Sequence, residues 1–388
     1  MRDDDLQERI TRHLFEVLSE LRVCVTRMAR VLPLYEELLP DGAGPSYREA
    51  LVRLRGAAPV MLPGAVHQAL AHDLGPDWSG LFRSFADRPV ALATHGQVHR
   101  AVWHDGREVA VKIQFPGARQ ALAHDLGQLD RLSPLAAVLL PRVGSVASGL
   151  LAVLARELDY ANEAKGQRAF AAAFSGDPDF RIPAVVAQAG ACLVTEWLGG
   201  SPLVAVARRG TRAERDRASL LLFRFALAAP ARCGLVHLDP DPANFRLMPD
   251  GRLGVLDFGA VGPPHPSELG ALLRTAAGGR LPRIVAAARA HGFAPSGTDA
   301  DLRPFAALLR SMTAFVREDA FAFSPRWVAD RVGEATAPAM LTAARHLALP
   351  QPYLQTAHVM PALLAVLGAL GGSGSFRDEA AAYLPGFA

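Results

Sequence analysis

The sequence predicts an α+β chain in which one strand-rich segment is set among long helical ones. Three observations carry that expectation. From Phe82 to Gly117 apolar and polar residues alternate around Asp105-Gly106, a strong hairpin signal. Near the start, Leu6, Ile10, Leu14, Leu18, Leu21, Val25, Met28 and Leu32 recur at three- and four-residue steps, an amphipathic helical stripe over residues 6–38. Beyond Gly259 the chain reads as mostly helical to its end.

Taken in order, the stripe is expected to pack on the rest of the chain; a membrane surface or a partner helix is the alternative use of such a face. Pro40, Gly42, Gly44 and Pro45 mark a loop, a second helix follows, and Pro63 starts a third that ends at Gly75. In the strand-rich part, Lys112 sits inside Val109-Ala-Val-Lys-Ile113. A lysine in a β-branched strand needs a reason, because its ammonium is costly to bury unpaired. Contact with phosphate supplies one; an outward-facing lysine on an edge strand is the plain alternative. From Leu150 a helical run carries Glu157, Asp159 and Glu163, and Asp159 and Glu163, four apart, are expected to share a face. Glu163 is the candidate partner for Lys112. "CLVTEWLGG" reads as a strand ending in a turn at Gly199-Gly200, and residues 211–234 as a helix. Pro263-Pro264 and the cluster at 292–297 punctuate the remainder, with no internal repeat.

The stretch from His237 to Gly259 carries the chemistry. His237-Leu-Asp239-Pro-Asp241-Pro-Ala243-Asn244 is followed, after an Asp-Gly turn, by Leu256-Asp257-Phe258-Gly259. The expected local structure is loop, strand, turn, strand, loop. Phosphoryl transfer asks the protein for metal held against phosphates and an oriented acceptor, with little covalent work. Magnesium takes hard oxygen ligands, few of them from protein. Asp257 offers a carboxylate and Asn244 an amide oxygen, and Asp239 is spaced to orient or deprotonate an acceptor hydroxyl. H-x-D-x-x-x-x-N followed by D-F-G is the catalytic half of a protein-kinase-like site, and the Lys112 strand is written like its lysine strand. Glu196 to Leu198 would then be the hinge whose backbone meets an adenine edge. The usual Gly-rich loop is absent: its place reads Ala91-Leu-Ala93-Thr94-His95-Gly96-Gln97. No A-P-E element follows Asp-Phe-Gly, so a peptide-docking activation segment is not expected.

The 388 residues suffice for two kinase lobes plus extra helices, and half of them are hydrophobic. Net charge is +3 with signs mixed and no long basic run, which argues against nucleic acid as a partner. Cys24, Cys192 and Cys233 are scattered, with no CxxC, and fit a reducing cytosol. The charged start "MRDDDLQERI" is unlike a signal peptide. Two apolar stretches, "PLAAVLLPRVGSVASGLLAVLA" and "MPALLAVLGALGG", are broken or short of the roughly 20 residues a span requires, and are expected to be core helices.

Together the residues resemble the UbiB/AarF family of atypical kinases, also called ABC-one or ADCK kinases, over about residues 25–262. The pieces are "GQVHRA" at 96–101, "VAVKIQFPG" at 109–117, "ELDYANEA" at 157–164, "HLDPDPAN" at 237–244 and "LDFGAVG" at 256–262. The resemblance implies a two-lobed protein-kinase-like fold with a small β-containing N-lobe, a large helical C-lobe and extra N-terminal helices. The expected division is 1–75 helical extension, 76–196 N-lobe with inserted helices, 197–300 C-lobe with the catalytic and metal-binding loops, and 301–388 C-terminal helices. It implies ATP and magnesium as cofactors. Lys112, Glu163 and Asp239 are then the catalytic residues and Asn244 and Asp257 the metal ligands. Ala91, Ala93, Thr94, Gly96, Lys112, Glu196 and Leu198 meet the nucleotide, the alanine-rich loop replacing the glycine-rich one. The family's links to isoprenoid-quinone synthesis and lipid homeostasis imply a lipid or quinone-precursor partner and a cytoplasmic location with peripheral attachment at the inner face of a membrane.

Three departures stand out. The family's K-x-G-Q motif is replaced by Arg27-Met28-Ala29-Arg30, so Arg27 would stand in for the lysine thought to pair with the acids matching Glu157 and Asp159 in gating. Asp241 and Ala243 replace a histidine and a glycine of the family's catalytic loop, and Asp241 adds negative charge near the metals. Thr94 and His95 replace serine and isoleucine. Three functions therefore stay open: an atypical kinase or ATPase, a nucleotide-binding regulator with little turnover, and a small-molecule phosphotransferase of the aminoglycoside or choline type.

Overall fold

The computed structural model describes residues 60–93, 95–118, 120, 158–295 and 300–388. The amphipathic stripe over 6–38, the second helix, the first apolar stretch, and Arg27, Thr94 and Glu157 lie outside the described residues.

The N-terminal part is a β-sheet with one helix packed on each face. Helix α1 (Pro63–Leu74) begins with Pro63 in its first turn and ends at Gly75, as its sequence predicts. Strands β1 (Phe82–Phe85), β2 (Ala91–Leu92), β3 (Gly96–Trp103) and β4 (Glu108–Gln114) follow, then helix α2 (Tyr160–Ala173), β5 (Phe180–Arg181), β6 (Val185–Ala189) and β7 (Cys192–Glu196). The sheet order is β1-β3-β4-β7-β6, with β2 pairing on β3. The Asp105-Gly106 turn joins β3 to β4, with Gly106 at φ 96°. Alternation along β4 then sorts its side chains. Val109, Val111 and Ile113 are fully buried and pack with Val66 and Leu70 of α1. Ala110 and Lys112 point to the opposite face, into the cleft. Lys112 is therefore on a central strand, not an edge.

The C-terminal part is mainly helical around an aromatic core. Strand β8 (Ser201–Pro202) leads into α3 (Leu203–Arg209) and α4 (Arg212–Cys233). A capping box, with Thr211 accepting from the Glu214 N–H and Glu214 from the Thr211 N–H, starts α4. Gly234, at φ 68°, ends it. Phe223 and Phe225 of α4 are buried among Phe170, Phe245, Phe258, Phe315 and Phe376. Strand β9 (Val236–His237), the hairpin of β10 (Phe245–Leu247) and β11 (Leu253–Val255), and β12 (Val261–Gly262) complete the site region. The β10–β11 hairpin extends to β8 on one side and β5 on the other, and β12 pairs with β9. This is a two-lobed α+β kinase-like fold.

Helices α5 (Leu269–Gly278), α6 (Leu281–Ala290), α7 (Arg303–Met312), α8 (Pro325–Thr336), α9 (Pro338–Ala344), α10 (Leu354–Leu370) and α11 (Phe376–Tyr383) fill the remainder, with one short pair, β13 (Phe321–Ala322) and β14 (Ser373–Gly374). One expectation is corrected here. The second apolar stretch is longer than the sequence suggests: with the helical turn before α10 it runs over 20 residues, Gln351–Leu370, long and apolar enough to cross a membrane. Its buried share, 56%, and the packing of Leu363, Leu364, Val366 and Leu367 in the aromatic core mark it as a core helix.

Candidate active site

A cleft of about 230 Å³ lies between the sheet and the β10–β11 hairpin. Its upper wall is mostly apolar, with Val98, Ala110 and Leu193 facing inward from β3, β4 and β7. Its lower wall carries Asn244, Arg246, Leu256 and Asp257.

Lys112 lines the cleft from β4. Its Nζ donates to both Glu163 oxygens, at 2.9 and 3.0 Å, and to Asp257 Oδ2 at 3.3 Å. Glu163 reaches it from the first turn of α2, and Gln114 holds that helix start by donating from Nε2 to the Leu158 carbonyl at 2.7 Å. The Glu163 side chain is 2% exposed, Lys112 17% and Asp257 35%. Two carboxylates thus share one ammonium, at a point that is dry on the Glu163 side and open on the Asp257 side. Burial pushes the Glu163 carboxyl up to about 7, against the pull of Lys112. Burial also opposes the Asp257 charge, yet Lys112 and the Gly259 N–H hold that carboxyl down at about 2. The Lys112 ammonium is disfavoured by burial, but Asp257 and Glu163 outweigh it and keep the amine protonated well above the ordinary lysine range. The Tyr160 ring lies 5.1 Å from the same ammonium.

Asp257 is the one non-glycine residue with positive φ, 57°, among the described residues. The cause is visible. Its Oδ1 accepts from the Gly259 N–H, and His237 Nε2–H donates to the Asp257 carbonyl at 2.7 Å and the Leu256 carbonyl at 3.3 Å. His237, buried among Phe170, Phe225, Phe245 and Phe258, therefore clamps the Asp-Phe-Gly backbone to the catalytic loop. That residue acts here through backbone and not through the solvent.

Asn244 lies at the start of the β10–β11 hairpin, and its Nδ2 donates to Asp239 Oδ2 at 3.1 Å and to the Asp239 carbonyl at 3.3 Å. With the amide nitrogen committed to Asp239, the amide oxygen is left for another partner. Asp241 is turned to local work: its Oδ1 accepts from the Ala243 N–H and caps the turn at 242–244. The donor set of Asp257 and Asn244 is hard oxygen, and magnesium needs few protein ligands, so these residues fit that ion with phosphates and water completing its shell. No cluster of three His, Cys, Asp or Glu side chains that could hold a metal occurs among the described residues.

At the hinge, the Glu196 N–H donates to the Ala184 carbonyl and the Trp197 N–H to the Glu108 carbonyl. The Glu196 side chain accepts from Arg181 and from the Ala184 N–H. Leu198 lines the cleft, as do Glu196, Ala91 and Ala93. Gly96 is placed differently from the expectation that it meets the nucleotide. It is buried in β3, where a Cβ would sit 2.1 Å from the Ile113 carbonyl oxygen, so its first duty is strand packing. Asp159 is also displaced from its expected role on a helix face. It is the N-cap of α2, exposed, accepting from the Asn162 N–H at 3.0 Å.

Sequence reasoning missed a buried relay in "GQVHRA". His99 Nδ1–H donates to the Ala86 carbonyl, Gln97 Nε2 donates to His99 Nε2, and Gln97 Oε1 accepts from the Met61 N–H, all within 2.9 Å. This chain pins the segment before α1 to the sheet. It also missed Arg246, for which a signal existed: an arginine between two apolar residues of a strand, two positions after Asn244.

Comparison with known proteins agrees with the geometry. The model of the ABC1 atypical kinase-like domain matches residues 53–276. The chain is 31% identical over 263 residues to the atypical kinase COQ8B, mitochondrial, of Rattus norvegicus, covering 66% of this chain and 48% of that protein. It is 31% identical over 265 residues to the atypical kinase COQ8, mitochondrial, of Schizosaccharomyces pombe, covering 66% and 42%. The chain thus spans less than half the length of these relatives. Among solved structures, the complex of Rv3197 with erythromycin from Mycobacterium tuberculosis superposes with a TM-score of 0.75, at 36% identity, over 99% of this chain and 98% of that one.

Proposed function

This chain belongs to the family of the ABC1 atypical kinase-like domain, and from that premise we propose that it binds ATP with magnesium in the cleft and turns it over as an atypical kinase or ATPase. The observation that carries the reading is the Lys112 ammonium held by both oxygens of Glu163 with Asp257 beside it, in a cleft that Asn244 also lines. In this reading Lys112 meets the phosphates and Glu163 fixes its position. Asp257 and Asn244 hold magnesium, which when bound neutralises phosphate charge. Asp239, steadied by Asn244, orients the acceptor hydroxyl or water. The hinge backbone at Glu196 and Leu198 meets the base, and Ala91 and Ala93 cover the phosphates.

A thermal titration with ATP and magnesium tests binding, and steady-state phosphate release tests turnover. Unchanged melting midpoints would remove the nucleotide site. Binding without release in any condition would leave a regulator. Release that depends on a small hydroxylated acceptor would favour the phosphotransferase reading.

A role in isoprenoid-quinone or lipid metabolism, with peripheral membrane association, is the extension the family supports. Phosphate release with and without vesicles carrying a quinone-precursor mimic tests it. The full-length likeness to the erythromycin complex adds that macrolide as a ligand for the same titration.

A further inference from the structure

Arg246 is a charge in an unusual place. Alternation on β10 buries Phe245 and Leu247 in the aromatic core and turns Arg246 to the cleft. It lines the cleft together with Val98 and Ala110 of the sheet. Of the five N–H bonds a guanidinium offers, the interaction found is one from Nη1 to the Gly200 carbonyl at 3.0 Å, just past the hinge. Nε is buried with no acceptor. No carboxylate pairs with it among the described residues.

A half-buried cation with unused donors is a cost in the empty cleft, and a ligand that brings acceptors there relieves it. Lys112, Glu163 and Asp257 bond to one another, whereas the hydrogen bond of Arg246 runs to Gly200. The hinge contact to Gly200 places Arg246 at the nucleoside end. We propose that Arg246 reads the nucleoside half of the bound nucleotide, donating to an acceptor on the ribose or the base while its plane supports the base against the apolar upper wall. It is a specificity-determining residue, and this assignment rests on the nucleotide reading above. A planar fork suits both tasks where a lysine would suit neither.

The test is a calorimetric titration of the full chain with magnesium complexes of ATP, 2′-deoxy-ATP and inorganic tripolyphosphate, comparing wild type with Arg246→Leu and Arg246→Lys. The expected result is a loss of about tenfold to a hundredfold in ATP affinity for Arg246→Leu, the range for hydrogen bonds to a charged group, with tripolyphosphate affinity unchanged within about twofold. A wild type that prefers ATP to 2′-deoxy-ATP, with the preference lost in Arg246→Leu, assigns the acceptor to the ribose. Equal losses on both nucleotides assign it to the base. Arg246→Leu binding ATP as wild type does, or losing ATP and tripolyphosphate alike, overturns the proposal while leaving the nucleotide site standing. A wild type that binds tripolyphosphate but gains nothing from the nucleoside also overturns it. A wild type that binds none of the three overturns both. Should Arg246→Leu not fold, Arg246→Lys decides: a loss on ATP alone supports the proposal, and wild-type affinity sinks it.

Discussion

The two walls of the cleft hold their charges in opposite ways. On the sheet side, Lys112 and Glu163 satisfy each other through two short contacts in a nearly dry site, on a relaxed central strand and a capped helix. On the hairpin side, Asp239 and Asp257 are more open to the cleft, and Asp257 sits at φ 57°. A non-glycine residue there costs roughly 1 kcal/mol. The His237 clamp and the Gly259 N–H offset that cost. The sheet-side pair is joined to the hairpin side by one longer contact, Lys112 to Asp257 at 3.3 Å, and the hairpin side keeps an excess of carboxylate. The difference teaches where each should fail. Damage to the sheet side should appear first as lost stability and lost pH behaviour. Damage to the hairpin side should appear first as lost chemistry.

The largest effect expected breaks the hairpin side alone. Asp239→Asn should lower phosphate release by about a hundredfold to ten-thousandfold, the range for a positioned acid–base group. Its melting-point rise with ATP and magnesium should remain. Asp257→Asn should instead weaken that rise, because it removes a metal ligand. If Asp239→Asn releases phosphate at the wild-type rate, the assignment of the acceptor-orienting role to Asp239 is lost.

Next comes the sheet side. Lys112→Met leaves Glu163 buried without its cation, and breaking a buried pair in this way costs about 3 kcal/mol or more. The double variant Lys112→Met with Glu163→Gln removes both charges and should recover most of that loss in urea unfolding. No recovery would mean that the pair contributes packing and little electrostatic coupling.

How much of this was legible in the sequence differs between the same two walls. The hairpin residues lie within about twenty positions of one another, so short-range spacing alone brings Asp239, Asn244 and Asp257 together. Lys112 and Glu163 are separated by 51 positions, and their meeting depended on an argument from charge: a strand lysine facing inward needs an acid. Other features were not legible for physical reasons. Gly96 looks like a loop glycine, but its need comes from the Ile113 carbonyl of the paired strand, which only register reveals. Gln97 and His99 share a face of β3, yet their partners, Ala86 and Met61, come from segments that no local pattern points to. The apolar stretch at 360–372 was readable as a helix, while its full length depended on a turn before it, at Gln351–Tyr353. Arg246 was readable from alternation; the lack of a counter-charge was not.

A smaller effect sharpens the comparison through pH. The Glu163 carboxyl is raised to about 7 in the folded chain, above the ordinary glutamate value. The folded state therefore keeps a proton that the unfolded state has already released. The stability this contributes is full below the ordinary value and is lost as pH rises through about 7. Melting midpoints should therefore fall as pH rises from 5 to 8. Glu163→Gln should flatten the profile. Nucleotide affinity should run the other way over the same window, rising with pH as the carboxylate becomes free to hold Lys112. A flat wild-type profile in both measurements would place Glu163 as permanently ionised.

The smallest effect concerns Asp159, and it separates two uses of one carboxylate. As the N-cap of α2 it accepts from the Asn162 N–H and steadies the turn that carries Glu163. Asp159→Ala removes that cap and should cost about 1 kcal/mol, measured by urea unfolding. Asp159→Asn keeps the cap, since asparagine serves as well at this position, but removes the charge. Unfolding of Asp159→Asn should therefore match wild type within a few tenths of a kcal/mol, and its ATP affinity should match as well. A loss of affinity in Asp159→Asn without loss of stability would mean that the charge itself acts on the cleft, the gating role the family resemblance implies, and the separation between the sheet side and the hairpin side would then extend to the helix start. Equal behaviour of wild type and Asp159→Asn would confine this carboxylate to holding Glu163 in place.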